Sequence, residues 1–308
     1  SVRTASLAAL KRRMSKLQQK LALDDDALVQ CNDFEQITLY GRIQQESSAT
    51  GRKLRFHLND DDLDVGSVED FVLEEFRKDP NGSWDGLHSE SSCFTTLFGL
   101  LFWDLLFGDN FDDQSDGMVL DVFQTAYQTA PLDLNTDAFY PQRRATIERR
   151  LSLIAEDFES AMRLLRMHHL KHHQVSCVGV NWTAFGGEDG LTLLLKVAEG
   201  VGGMALSVIM RQFAEDYRHN RSGMPDLILW RTAKDGNVDG THWLSSSSLI
   251  LQANDVVFAE VKSTNDRLSD AQRHWISILK GAGMRVLVVR VLDAEKGTVI
   301  KRRAKGAD

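Results

Sequence analysis

The sequence predicts an α/β fold in which a small mixed β-sheet is preceded by a mostly helical region. Three observations carry that expectation. Residues 227–230 (LILW), 256–259 (VVFA) and 284–291 (MRVLVVRV) are short apolar runs of the kind that form buried strands. Between the last two, residues 269–280 (SDAQRHWISILK) place Trp275, Ile276 and Leu279 on one helical face, with Leu268 just ahead. Upstream, a series of helical segments precedes the strands. The first two strands should pair as an antiparallel hairpin, and the strand–helix–strand unit should form a right-handed parallel crossover.

Taken in order, residues 1–64 form a polar, partly helical segment with a basic helix near residues 7–21 and turn-rich sequence at 44–52. Residues 65–175 form a helical region with expected pieces at 68–77, 91–107, 119–130 and 141–167. Pro141 suits the first turn of the last of these. Residues 176–308 carry helices near 191–198 and 204–217 and then the sheet. Residues 241–254, with four consecutive serines at 245–248, read as a flexible insertion at the hairpin tip. No internal repeat is present.

The hairpin register can be argued from the letters. If Trp230 stands opposite Val256, Asp226 falls opposite Glu260, so both acids lie at one end. Strand residues two apart share a face, so Val256, Phe258, Glu260 and Lys262 point one way and Val257, Ala259 and Val261 the other. Both faces are apolar, which marks a central strand. Glu260 and Lys262 therefore extend a buried face, where charges must be paired or metal-bound. The competing reading is an exposed ion pair on a polar face. Ser269 with Gln272 fits a capping box, and Gly281 and Gly283 supply the stop. The capping box accounts for Gln272, with an active-site contact as its second reading.

Composition bounds the rest. Three separated cysteines (Cys31, Cys93, Cys177) give neither a zinc pattern nor a disulfide framework, which suits a reducing compartment. Residues 94–107 are too short for a membrane span and carry Asp104, so no membrane partner is expected and the stretch reads as a buried helix. No signal peptide is recognisable, and the start at Ser1 suits a fragment or a processed product. The net charge of −8 argues mildly against nucleic acid, but its distribution matters more. Acid concentrates at 24–26, 60–64 and 109–116. Basic residues gather at 11–13, at Arg143, Arg144, Arg149 and Arg150, from Arg211 to Arg221, and at 301–303. Arg218 and Arg221 lie just before Asp226, near any phosphate held there. His168, His169, His172 and His173 offer two i,i+4 pairs but no further ligand, and read as a solvated or DNA-facing cluster rather than a zinc site.

GMPDLILW followed by FAEVKSTNDRLSDAQRHWI, together with LHSESSCFTTLFGLLFWDLLF (residues 87–107) and DVFQTAYQTAPLDLNTDAFYPQRR (residues 121–144), resembles the Fanconi-associated nuclease family. This is the VRR-NUC branch of the PD-(D/E)xK nucleases, the restriction-endonuclease-like fold, and the similarity runs nearly continuously from Val68 to Val291. The resemblance implies that Glu90, Asp226, Glu260 and the Val261 carbonyl hold Mg²⁺ or Mn²⁺, and that Lys262 is the catalytic lysine. Taken alone, Glu90 reads as a helix-start acid favoured by the macrodipole. The resemblance further implies a structure-selective DNA nuclease, a 5′-flap endonuclease and 5′–3′ exonuclease of interstrand-crosslink repair. Its reaction would be in-line attack of water on phosphorus, leaving a 5′-phosphate. Flapped or branched DNA is the implied partner, with a repair-complex recruiter and nuclear localisation. Arg218 matches a basic pocket for the 5′-phosphate end; Arg221, Arg143 and Arg144 are further DNA-facing candidates. Ala271 departs from the family, since animal members carry a pocket lysine there. Two other readings stay open: a Holliday-junction or restriction-like endonuclease, and a catalytically silent DNA- or partner-binding module.

Overall fold

A computed structural model gives the architecture, describing residues 34–44, 54–59, 64–78, 84–108, 127–231, 256–264 and 266–294, with Arg13 and Thr125. Strand β1 (Glu35–Gly41), the short pair β2 (Phe56–His57) and β3 (Val65–Gly66), helix α1 (Val68–Arg77) and strand β4 (Trp84–His88) come first. A helical block follows: α2 (Ser92–Leu101), α3 (Trp103–Phe107), α4 (Phe139–Glu156), α5 (Phe158–Lys171), α6 (Trp182–Phe185), α7 (Glu188–Val201), α8 (Gly203–Glu215) and α9 (Tyr217–Asn220). Then come β5 (Leu227–Arg231), β6 (Val256–Lys262), α10 (Asp270–Gly281) and β7 (Arg285–Asp293).

Five strands form one mixed sheet in the order β1-β7-β6-β5-β4. Strand β5 pairs antiparallel with β6, Trp230 opposite Val256 and Leu227 opposite Ala259, the register the letters require. Strands β6 and β7 run parallel across α10. All seven residues of the central strand β6 are buried. On one face Val256 and Phe258 join Ile228, Trp230, Val286 and Val288 in the core shared with the helical block. On the other, Val257, Ala259 and Val261 join Leu227, Leu229, Leu287 and Val289 beneath Phe71 and Val72 of α1. A one-residue slip would exchange these two sets, so both cores hold the register.

Several elements differ from the sequence expectation, each for a local reason. The segment 91–107 is two helices, broken at Phe102 (φ −115°, ψ 18°). At the break Arg150 donates to the Leu101 carbonyl and pairs with Asp104 at 2.6 Å. The segment 141–167 divides at Asp157, whose carboxylate accepts from the Ser160 N–H and caps α5. The segment 204–217 divides at Asp216, which caps α9. Gly281 is the last residue of α10; the stop is Gly283 at φ +84°. Gly283 N–H donates to Lys280 and Met284 N–H to Leu279, a Schellman closure. Strands β1 and β4 are edge strands inside segments read as polar or helical. Residues 125 and 127–130 form turns rather than a helix. The helix at 7–21 (Arg13 apart), the acidic runs at 24–26, 60–62 and 109–116, the insertion at 241–254 and the basic run at 301–303 lie outside the described residues.

Only His173 of the histidine cluster is exposed, and no metal-holding group of three forms among the described residues. His168, His169 and His172 are buried. His168 Nδ1 bonds the Leu100 carbonyl at 2.7 Å, His169 Nε2 bonds the Phe185 carbonyl at 2.6 Å, and His172 stacks on Trp103. Burial holds the His168 pKa below its ordinary value. These rings tie α5 and its C-terminal cap to α2, α3 and α6 as core residues. Among the described residues no single helix is long and apolar enough to cross a membrane, although α7 and α8, bent by 107°, pass that test together.

Candidate active site

The hairpin delivers the acids to one place. Asp226 stands immediately before β5, and its Oδ2 accepts the Val261 N–H at 2.8 Å, which extends the β5–β6 pairing onto a side chain. Glu260 has 0 % exposure, so the exposed-pair reading is excluded. Its Oε1 accepts from Lys262 Nζ at 2.7 Å and from Gln272 Nε2 at 2.5 Å. Its Oε2 is buried with no hydrogen-bond partner. Burial raises the Glu260 carboxyl to about 8 and the neighbouring Asp226 charge adds to the rise, while Lys262 opposes it. Burial likewise raises Asp226, countered by the Val261 N–H and Lys262. Two acids held together under apolar cover, with one oxygen uncommitted, are costly unless a cation or proton offsets them.

The β4–α2 turn is clipped to the same point, because the N–H groups of Ser89 and Glu90 both donate to the Asp226 carbonyl at 3.2 Å. Glu90 is therefore not a first-turn helix residue. It stands two residues ahead of α2 at φ +47°, a left-handed conformation a glutamate adopts only under constraint. Its charge, with that of Glu69 in the first turn of α1, pushes Asp226 upward. Nothing in the sequence marks Glu69, since a first-turn acid is ordinary. Asp226, Glu260, Val261, Lys262 and Gln272 thus meet directly, and Glu90 joins them through its main chain. Among the described residues no three Asp, Glu, His or Cys side chains form a ready-made metal cage. The Asp226–Glu260 pair still fits a hard divalent cation. Both offer carboxylate oxygen, and Glu260 keeps a buried oxygen without a partner.

The basic candidates divide. Arg218 and Arg221 are exposed around α9 and pair with no carboxylate among the described residues. Trp275 Nε1 bonds the Asn220 and Ser222 carbonyls at 3.1 Å, fixing the loop that carries them toward Asp226. Arg144 is also exposed. Arg143 is not a free DNA contact: its side chain is 9 % exposed, bonds Asp133 at 2.5 Å and lies over the Phe139 ring. Ala271 packs against Gly223, whose φ is +92° and where an added Cβ would stand 2.8 Å from that of Ala271.

Comparison with known proteins places the chain in a family. Residues 134–293, just over half the chain, match the VRR-NUC domain. The chain is 34% identical over 296 residues to the Fanconi-associated nuclease 1 homolog of Arabidopsis thaliana, covering 95% of this chain and 29% of that protein. It is 32% identical to Fanconi-associated nuclease 1 of Danio rerio, covering 94% of this chain and 28% of the relative. The chain thus spans less than a third of the curated relatives it matches. A crystal structure of paFAN1 bound to 5′-flap DNA superposes with a TM-score of 0.67 at 23% identity, over 93% of this chain and 42% of that one. That likeness establishes the fold, a VRR-NUC sheet with its preceding helices. The chain belongs to the VRR-NUC family, and within it is similar to the Fanconi-associated nucleases.

Proposed function

We propose that this chain is a divalent-metal-dependent, structure-selective DNA nuclease, acting as a 5′-flap endonuclease and 5′–3′ exonuclease. The observation that carries the reading is the buried Asp226–Glu260 pair with Lys262 bonded to it, at the end of a hairpin in a VRR-NUC chain. Asp226, Glu260, the Val261 carbonyl and Glu90 would hold Mg²⁺ or Mn²⁺. The ion supplies charge neutralisation for the pair and Lewis-acid polarisation of the scissile phosphate. Lys262 adds a compact positive charge where negative charge grows on phosphorus, and orients the attacking water. The low-dielectric cover around Glu260 strengthens both effects. Water attacks in line, the P–O3′ bond breaks, and a 5′-phosphate and a 3′-hydroxyl result. Arg218 and Arg221 would bind backbone phosphates beside the cut. With Ala271 in place of the animal lysine, cutting should depend little on whether the flap ends in phosphate or hydroxyl. A role in interstrand-crosslink repair, in the nucleus and with a recruiting partner, belongs to the same proposal and rests on the similarity to Fanconi-associated nucleases.

The test is cleavage of labelled 5′-flap, four-way-junction and single-stranded DNA with Mn²⁺. Flap cutting is expected, with Asp226→Ala, Glu260→Ala and Lys262→Ala each lowering kcat by roughly a thousandfold while circular dichroism stays unchanged. Preference for junctions would replace this reading by a resolvase. Cutting of none of the substrates would leave a silent binding module.

A further inference from the structure

We propose that Gln272 is a positioning residue for Glu260, its amide set by the helix cap so that it sets the carboxylate in turn. The inference rests on the nuclease reading and deepens it. Gln272 occupies the third position of α10. Its Oε1 accepts the Ser269 N–H at 2.9 Å, while its own N–H donates to Ser269 Oγ at 3.2 Å. That reciprocal bond fixes which end of the amide is which. A flipped amide would set NH₂ against an N–H and carbonyl oxygen against a carboxylate. With the oxygen committed to the cap, Nε2 faces Glu260 Oε1 at 2.5 Å.

A capping box is served equally well by Glu or Gln at this position. Only Gln brings a donor to a buried carboxylate; Glu would bring a second negative charge. The consequence lies at Glu260. Oε1 takes two donors, Gln272 Nε2 and Lys262 Nζ, and Oε2 takes none. One oxygen is pinned, and the carboxylate plane is fixed with the other left for a hard divalent cation shared with Asp226. Lys262 alone, on its flexible stem, would pin Oε1 through a single contact and let the plane turn.

The test compares the two halves of the cap. Gln272→Met and Ser269→Ala each remove one half, and each should lower the melting temperature by a similar few degrees. Only Gln272→Met touches Glu260. It should weaken Mn²⁺ binding at least tenfold by calorimetry without DNA, and lower kcat on a 5′-flap at least tenfold with KM for DNA unchanged. Gln272→Glu, which keeps the cap but sets a second carboxylate against Glu260, should lose kcat to the same extent. Equal Mn²⁺ affinity and kcat in Gln272→Met and Ser269→Ala would reduce Gln272 to its capping role and overturn the inference. Wild-type kcat in Gln272→Glu would do the same should Gln272→Met not fold. In both of those results the wild type cuts and binds Mn²⁺, so the nuclease reading stands. A wild type that neither binds Mn²⁺ nor cuts overturns both.

Discussion

Glu260 places a carboxylate under complete cover, beside a second acid and against an ammonium and an amide. Ionising it costs free energy that the surroundings only partly return, which is why its pKa rises from 4.5 to about 8. A group raised in the folded state favours folding at low pH, where it is protonated both folded and unfolded. The metal-free protein should therefore hold its full Glu260 contribution below about pH 4.5 and lose it as pH climbs through about 8. The loss is on the order of a few kcal/mol, since a tenfold change in an ionisation constant corresponds to about 1.4 kcal/mol and the neighbouring charges share the effect. Urea denaturation in a chelator at pH 5 and pH 8.5 measures it. Glu260→Gln should flatten the decline and make the metal-free protein the more stable of the two at pH 8.5. Parallel wild-type and variant curves would mean that the buried acid carries no such penalty.

The elements around the site, besides sharing the two cores, meet at close backbone approaches. The loop after α9 turns at Gly223, which combines a left-handed φ of +92° with near contact to the first turn of α10. Gly223→Ala should cost about 2–4 kcal/mol, adding left-handed strain to a clash that can be relieved only by moving α10. Because α10 carries Gln272, kcat should fall along with the melting temperature. A stable, fully active Gly223→Ala protein would show that the loop gives way instead. The β5–β6 hairpin and α10 were legible in the sequence because their information is local. Two-sided apolar runs fix the register, and Ser269 with Gln272 marks the helix start. Strands β1 and β4 were not legible. Each is an edge strand with mixed polarity, and β4 contains Asp85 and Gly86, residues that disfavour strands. What places β1 is a partner some 250 positions away, visible in the Arg285 bond to Glu35 at 2.6 Å. The break at Phe102 was hidden within an unbroken apolar run, and the left-handed turn at Glu90 has no signature in a residue that rarely adopts it. Arg143 looked like the exposed neighbour of Arg144, and only the fold brings Asp133 beneath it.

Across the whole molecule, the site draws on separate stretches of chain: the α1 start, the β4–α2 turn, the β5–β6 hairpin and the head of α10. The sheet order β1-β7-β6-β5-β4 brings them together, with a core on each face of β6. A ligand bridging such a site binds only the folded chain, so its binding free energy adds to global stability. If Asp226 and Glu260 hold the ion, Mn²⁺ at a hundred times its Kd should add about 2.7 kcal/mol and raise the melting temperature by about 4 °C. The rise should grow between pH 6 and 8, because binding below about pH 8 must displace the Glu260 proton. Asp226→Ala should abolish it. Lys262→Ala should keep it, since an ammonium is no metal ligand, and this separates loss of the ion from loss of chemistry. Thermal melts over a Mn²⁺ series, with excess chelator as the baseline, decide the matter. An undiminished rise in Asp226→Ala would place the ion elsewhere on the chain and leave the paired acids without their cation.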